Sequence, residues 1–494
     1  MTRYFFSYIF IYLVWFGRRI LSRKGSAYLI LSSPRFQPFL DWVAGIRAYA
    51  VFYKARKKCP AYREFLYDGN YKDSGSWSLE NVPVMTKENY VKKFDLESRC
   101  YGGKLPFPGT VIDESSGSSG VPNNWVRNNY EREDVKRVLQ LNYEIIYDDD
   151  NCILLNCFAL GPWATGMNVS MSLVDVGILK SIGPDAAKLE NTLKLFGDKY
   201  RYLIFGYPPF LKTWLDNTSL DLSTFRIDAV VGGEGISEGL RTFLLKYFKT
   251  VVSSYGASDL EINIGVETEL TIALRRLCFE RPALSESLFA RETPPMIFQY
   301  NPADYIVETT AEGELLFSIL RLDGAAPKIR YNLKDLGGTY SHAGLRSKLA
   351  EHNIGLNDLA AGQSAFPLLF VHGRGDLSVP FYGCKVFPSD IEEIINSNPS
   401  LTGNINSFQL RTVEDDQLKR TLIVALEKAT NLRSQLPDAH DLRDIVFTEL
   451  CRVNQDFREV TKIFDRSCVI VELHEYETGV FAGRDIRIKN KYIG

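Results

Sequence analysis

The sequence predicts an α/β protein: a large N-terminal domain of mostly parallel sheets flanked by helices, followed by a small mobile C-terminal α+β domain. Three observations predict it. The 494 residues exceed what one compact core accommodates, so two or three domains are expected. Between residues 150 and 260, short continuous apolar runs alternate with amphipathic segments, the rhythm of a parallel sheet covered on both faces. Past residue 377, strands and helices mix in a shorter stretch that reads as its own unit. The expected divisions are an N-terminal segment 1–24, a large domain 25–372, a hinge 373–377 and a small domain 378–494.

The elements follow in order. Residues 34–66 carry apolar residues at helical spacing and predict one or two helices; NVPVMTKENYVKKF predicts a short strand, a turn and a helix capped at Thr86. The string SSGSSG is expected to stand between a strand and the long helix EREDVKRVLQLNYEII. NCILLNCFAL, KYRYLIFGY, FRIDAVVGGE and TVVSSYGASD read as strands, with PFLKTWLDN and ISEGLRTFLLKYF as helices between them. VETTAEGELLFSIL alternates around a Glu-Gly turn and predicts a hairpin, and a Ser-capped helix is expected near Ser389. KRTLIVALE and SCVIVELHE predict strands of the small domain, and DLRDIVFTELCRVNQDF its helix.

Composition narrows the function. A formal charge of −2 with 45% apolar residues describes an ordinary globular chain with no sign of nucleic-acid binding. The eight cysteines form no CxxC pair and read as buried, reduced thiols of a cytoplasmic protein; the five histidines show no metal-binding spacing. No Ser/His/Asp or Cys/His constellation for nucleophilic catalysis stands out. Residues 1–24 differ: Tyr4 to Gly17 are almost wholly apolar and aromatic, flanked by Arg3, Arg18, Arg19, Arg23 and Lys24. The run is shorter than the ~20 residues a membrane span needs, and RRILSRK replaces a signal-peptide cleavage site. It fits a helix lying in the interface at the inner face of a membrane, and equally a helix packed on the protein itself.

Six small residues in SSGSSG leave backbone N–H groups and hydroxyls able to wrap a polyphosphate, although such a string read alone is more often a linker. Tyr255 ends an apolar strand, where an aromatic face can stack on a base. Ser258 offers a donor and Asp259 a carboxylate suited to magnesium, with Glu261 as a fallback. Asp335, read alone, is a turn residue.

Together SSGSSGVP, VVGGE, SYGASD, IRYNLKDL and GRGDLSVPFYGCKVFPSDIEE resemble, in order and spacing over residues 50–490, the adenylate-forming superfamily, most closely its phenylacetate–CoA ligase-like branch with relatives from polysaccharide gene clusters. The resemblance implies an ATP-dependent acid–thiol ligase that activates an aryl or acyl acid as its adenylate and passes it to coenzyme A or the phosphopantetheine of an acyl-carrier protein. It implies ATP contacts for Ser115, Ser116, Gly117, Ser118, Ser119, Gly120, Gly233, Glu234, Tyr255, Gly256, Ser258, Asp335 and Arg374, and a Mg²⁺ ligand in Asp259. Asp335 would grip the ribose, Arg374 the ribose or phosphates, and Asp376 would be the hinge of domain rotation. Trp163, Phe205 and Tyr207 lie in segments that usually line the acid pocket.

Two departures stand out. Val121 follows the loop where the superfamily carries lysine, and Arg484 stands in place of the lysine that stabilises the adenylation transition state, with Lys489 and Lys491 beside it. Arginine keeps the charge but is planar and longer than lysine. A second reading therefore stands beside the ligase: a catalytically impaired nucleotide-binding protein acting as a membrane-associated partner or scaffold.

Overall fold

The computed structural model describes residues 31–73, 77–115, 123–147, 151–161, 164–360, 364–374, 379–381, 384–414, 420–454, 457–458, 461 and 466–483. In chain order the strands are β1 (Val111–Ser115), β2 (Asn123–Arg127), β3 (Cys152–Asn156), β4 (Ile178–Ser181), β5 (Arg201–Gly206), β6 (Arg226–Gly232), β7 (Val251–Tyr255), β8 (Gly265–Val266) and β9 (Met296–Tyr300). They continue as β10 (Tyr305–Thr309), β11 (Glu314–Ile319), β12 (Tyr331–Tyr340), β13 (Leu368–Arg374), β14 (Val379–Phe381), β15 (Cys384–Val386), β16 (Ile405–Glu414), β17 (Arg420–Lys428) and β18 (Val469–His474). By contact the chain forms two compact units: Met1–Gly183 with Ser254–Thr271 and Ile297–Phe370, and Pro184–Ser253 with Ile272–Met296 and Val371–Gly494.

In the first unit the helix expected over 34–66 is two, Gln37–Lys58 and Pro60–Asp68. They break at Cys59, which is extended because Pro60 follows it. Leu40, Val43, Ala44, Val51 and Phe52 bury one face of the longer helix. The strand and helix expected over 81–94 are smaller than that. Met85 makes a single bridge to Tyr331, and Lys87–Val91 form one turn of π-helix. Thr86 does cap it: its Oγ1 accepts from Asn89 N at 3.1 Å and its N–H donates to Asn89 Oδ1 at 2.8 Å.

The SSGSSG context is a correction. NNWVR is a strand, β2, paired antiparallel with β1 from Val111↔Arg127 to Ser115↔Asn123. A second strand therefore stands where the helix was expected, and the helix begins only at Asn129, where Asn128 and Glu131 form a capping box. Trp125 and Val126 suit a pleated strand, and their pairing with β1 overrides the two asparagines before them. β3 and β4 pair in parallel; β7, β8 and β9 pair antiparallel through Gly265 and Val266; β10, β11 and β12 form a meander. The β10–β11 turn is the expected Glu-Gly hairpin, with Gly313 at φ 81°.

In the second unit β5 and β6 run parallel, both largely buried, with helices Ala186–Phe196, Pro208–Asn217 and Glu238–Leu244 following the expected strand–helix rhythm. Its last segment holds a three-stranded sheet ordered β16–β17–β18 and the helices Pro388–Ser397 and Ala439–Val453. A core including Phe381, Ile391, Ile394, Leu410, Leu422, Val424, Val446, Leu450 and Phe457 closes between them. Polar contacts tie this segment to the rest of its unit: Arg433 to Asp216 at 2.6 Å, Thr293 Oγ1 donating to Val453 O at 2.8 Å, and Asn396 Nδ2 donating to Ser237 Oγ at 3.2 Å.

Candidate functional site

The carboxyl end of β7 brings together Tyr255, Gly256, Ser258, Asp259 and Asp335 of the first unit. Tyr255 is the last residue of β7, and its ring lies against Phe298 (centroids 5.6 Å apart) and Phe317 (5.8 Å, 28° between planes). Its phenol donates to Asp335 Oδ2 at 2.5 Å, a charge-assisted bond. Asp335 reaches it because β12 bulges against β11: the register shifts between Glu314 and Leu316, and Lys334 sits at φ 67°. Asn332 stabilises the bulge, its Oδ1 accepting from Lys334 N at 2.7 Å and its Nδ2 donating to Glu314 Oε2 at 2.6 Å. A residue that reads locally as a turn is thereby held at the strand edge beside an aromatic ring.

The turn after β7 is compact. A side chain at Gly256 would bring its Cβ within 2.6 Å of Asn263 N and 2.8 Å of Glu261 O, so only glycine lets the chain fold back here. Ala257 N donates to Glu261 O at 3.0 Å across the turn. The β1–β2 hairpin is fastened to this turn. Trp125 Nε1 donates to Asp259 Oδ1 at 3.1 Å, and Arg127 Nη2 donates to the Ser258 carbonyl at 2.5 Å while its Nε reaches Asp113 at 3.3 Å. The hairpin whose loop is SSGSSGVP thus springs from the same place as the SYGASD turn.

Asp259 is 3% exposed and engaged at both oxygens: by Trp125, by the Tyr331 hydroxyl at 3.2 Å and by Lys87 Nζ at 3.0 Å. Burial, and next the Asp259 carboxylate, push the Tyr331 phenol far up, so it stays a donor. This donor set does not fit a magnesium ligand, because Lys87 already opposes the carboxylate charge and hard cations want oxygen partners with waters around them. Among the described residues no group of three or more His, Cys, Asp or Glu side chains is placed to hold a metal. The fallback, Glu261, is also committed: it pairs with Arg321, which is buried between it and Asp134, and accepts from Tyr305 at 2.5 Å.

Nearby, Lys328 is 3% exposed, with its Nζ 3.5 Å from Glu131 Oε1 and 6.0 Å from the Trp125 ring. Burial lowers its amine to about 8, against the pull of Glu131. Ala325 N–H and Asn128 N–H also donate to Glu131.

Gly233 and Glu234 belong to the second unit, where Gly233 ends the β6 run at φ 81° and a Cβ there would lie 2.5 Å from the Tyr207 ring. Burial, and then Glu234, push the Tyr207 phenol up to about 12. Phe205 is a buried residue of β5. Arg374 closes β13. Ser115 ends β1, while Ser116, Gly117, Ser118, Ser119, Gly120, Val121, Trp163, Asp376, Arg484, Lys489 and Lys491 lie outside the described residues. Lys87, Trp125, Tyr331 and Asn263 were not legible as site residues; each reaches the turn from a segment that reads locally as cap, strand or loop.

The chain is thus a two-unit α/β protein with a small sheet-and-helix segment near its C-terminus and a Tyr-Gly turn whose tyrosine is bonded to Asp335. Its fold is shared with a solved 2-hydroxyisobutyryl-CoA ligase. In the postadenylation state, with R3-HIB-AMP, that ligase matches at a TM-score of 0.62 and 13% identity, over 91% of this chain and 88% of that one. In the thioesterification state, with 2-HIB-AMP and CoA, the TM-score is 0.54 at 13% identity, over 92% and 90%. No protein-family model and no curated protein matches the chain.

Proposed function

We propose that the chain is an ATP-dependent carboxylate ligase of the phenylacetate–CoA ligase-like kind, transferring an aryl or acyl acid to a thiol. One observation carries the reading: three stretches far apart in sequence, the SSGSSG hairpin, the SYGASD turn and the Asp335 bulge, meet at the end of β7 through Trp125–Asp259, Arg127–Ser258 and Tyr255–Asp335. Chance turns have no reason to share these buried contacts. The fold likeness to a ligase solved with an acyl-AMP and CoA agrees with it.

In this reading Tyr255 offers a ring face to the base and orients Asp335 toward the ribose hydroxyls, which a carboxylate accepts from in pairs. The acid's carboxylate oxygen attacks the α-phosphorus and pyrophosphate leaves; the thiol sulfur then attacks the acyl carbon and AMP leaves. Positioning and charge stabilisation supply the catalysis. Lys87, paired with Asp259, supplies a cation at the SYGASD turn. Arg484, with Lys489, takes the charge-stabilising place in the C-terminal segment, Arg374 contacts the nucleotide, and the chain swings about Asp376 between the half-reactions. Coenzyme A or a carrier-protein phosphopantetheine is the acceptor.

The test is pyrophosphate release from ATP with a panel of aryl and fatty acids, for wild type and Arg484→Lys side by side. Release with at least one acid is expected, with the variant retaining it. ATP binding without release for any acid overturns the ligase.

A peripheral membrane location at the cytoplasmic face is favoured by a specific surface. Phe36, Phe39 and Trp42 at the start of helix Gln37–Lys58 are 37%, 45% and 52% exposed; the apolar, basic segment 1–24, earlier in the sequence, lies outside the described residues. Among the described residues no helix is long and apolar enough to cross a membrane.

A further inference from the structure

We propose that Arg99 is a phosphate-binding residue whose guanidinium receives the pyrophosphate end of ATP, the β- and γ-phosphates. The inference rests on the ligase reading and adds to it a nucleotide contact outside the five motifs.

Arg99 is 7% exposed and, among the described residues, forms no ion pair. Its Nη2 donates to the Asn124 carbonyl at 3.3 Å in a bond that is only partly buried, and its Nε is sealed with no partner. Nη1 also donates to nothing among the described residues but, unlike Nε, keeps accessible surface. The Trp125 ring centroid lies 5.6 Å from Cζ, a contact weaker than an ion pair. Asp95 favours the charge from a distance, but its Oδ1 accepts from Ser98 N at 2.8 Å. Burial is the larger influence and opposes the charge. A guanidinium stays protonated in any protein setting, so titration does not relieve the mismatch. An anion does.

The other cations of this region are matched. Lys87 has Asp259 at 3.0 Å, Arg127 has Asp113 at 3.3 Å and Lys328 has Glu131 at 3.5 Å. Arg99 holds the charge left over, and its place says which anion answers it. Asn124, to which it donates, follows Asn123, whose pairing with Ser115 ends the β1–β2 ladder on the side of SSGSSGVP. Trp125, against which it lies, donates to Asp259 in the SYGASD turn. Arg99 therefore touches the strand that joins two of the stretches assigned to ATP. In the ligase reading Tyr255 and Asp335 take the base and ribose, and the polyphosphate belongs to the sequence between β1 and β2. The anion beside Arg99 is then the pyrophosphate end, with Nη1 as its donor, in a charge-assisted bond of the kind arginine makes to phosphate.

The experiment measures equilibrium binding of ATP, AMP and inorganic pyrophosphate to the full chain as wild type, Arg99→Met and Arg99→Lys, with denaturant unfolding of each protein free of nucleotide. Wild type should bind ATP and pyrophosphate. Arg99→Met should weaken both by about 10- to 100-fold, the range of a hydrogen bond to a charged group, and AMP by less than about twofold. Arg99→Lys keeps the charge without the planar donors and should fall between. If Arg99→Met fails to fold, the ratio of ATP to AMP affinity in Arg99→Lys reads the outcome. No ATP or pyrophosphate binding by wild type, or an unchanged ATP-to-AMP ratio in the variants, overturns the proposal. So does a loss of stability with nucleotide affinity intact, which is what a purely structural arginine gives. Pyrophosphate release from ATP with the ratio unchanged in Arg99→Met leaves the ligase standing and removes this inference. A lowered ratio without release for any acid does the reverse.

Discussion

The phenol of Tyr255 and the carboxylate of Asp335, 80 residues apart in sequence, are joined by a 2.5 Å hydrogen bond at the end of β7. Asp335 is 8% exposed and is oriented by a group that is itself clamped between aromatic rings. Tyr255→Phe keeps the ring and removes the bond. The expected result is a fall in stability of about 1.5–3 kcal/mol, the range for bonds to charged groups, with ATP binding weakened about tenfold or less. Asp335→Asn should weaken ATP further at smaller cost to stability. Calorimetric titration with ATP and denaturant unfolding check both, and equal ATP affinity in wild type and Asp335→Asn removes Asp335 from the nucleotide site.

Asp259 and Lys87 form a mostly buried pair at 3.0 Å, with side chains 4% and 19% exposed. Breaking such a pair from one side strands a charge, so Asp259→Ala should cost about 3–5 kcal/mol. Asp259→Asn with Lys87→Met should cost less than the sum of the single changes. Lys87→Met should also slow pyrophosphate release. Unchanged release with full stability separates Lys87 from the phosphates.

Burial of Lys328 depresses its amine from 10.5 to about 8. Between these values the native protein has lost a proton that the unfolded chain still holds. The unfolded state binds more protons there, so stability rises with pH from about 8, and below 8 this group contributes no slope. Buried tyrosines pushed up by burial, such as Tyr62 and Tyr90, act in the opposite direction near pH 10 and above. The comparison is therefore wild type against Lys328→Met between pH 8 and 9.5: the rise, about 1–2 kcal/mol over that window, should be present in the first and absent in the second.

Gly233 combines φ 81° with a ring where its Cβ would go, 2.5 Å from Tyr207 Cε1. Gly233→Ala should lose about 1–3 kcal/mol. Tyr207→Ala in the same chain should recover the steric part and leave the backbone part, as read by thermal unfolding.

Deleting residues 1–24 should move the protein from liposomes containing anionic lipid to the free fraction at low salt, and Phe39→Ser with Trp42→Ser should weaken binding of the full chain. Co-sedimentation measures both. Unchanged partitioning on deletion assigns the segment to packing on the protein itself.

How much of this was legible varied with the reach of the interactions. The β5 and β6 strands and the hairpin at Gly313 depend on local periodicity and a glycine turn, which the sequence displays directly; the helix expected near Ser389 begins at Pro388, capped not by the serine but by Asp390 accepting from Phe387 N at 2.9 Å. The motif order likewise singled out Tyr255 and Asp335, which the fold joins by a hydrogen bond. The single-turn helix at Lys87 and the extra strand after SSGSSG were harder, because Met85 and Trp125 are placed by partners in β12 and the β7 turn, not by their neighbours.

Chain patterning alone thus established an α/β protein with a separate C-terminal core and put a tyrosine at a strand end. Whether Asp259 meets a metal or a lysine, and that Ser254 is bonded to Asn263 across the turn, were decided only in three dimensions. The reason is physical. Periodicity and turn chemistry act over a few residues, whereas a buried carboxylate or amide takes its role from whichever groups the fold brings within about 3 Å of it.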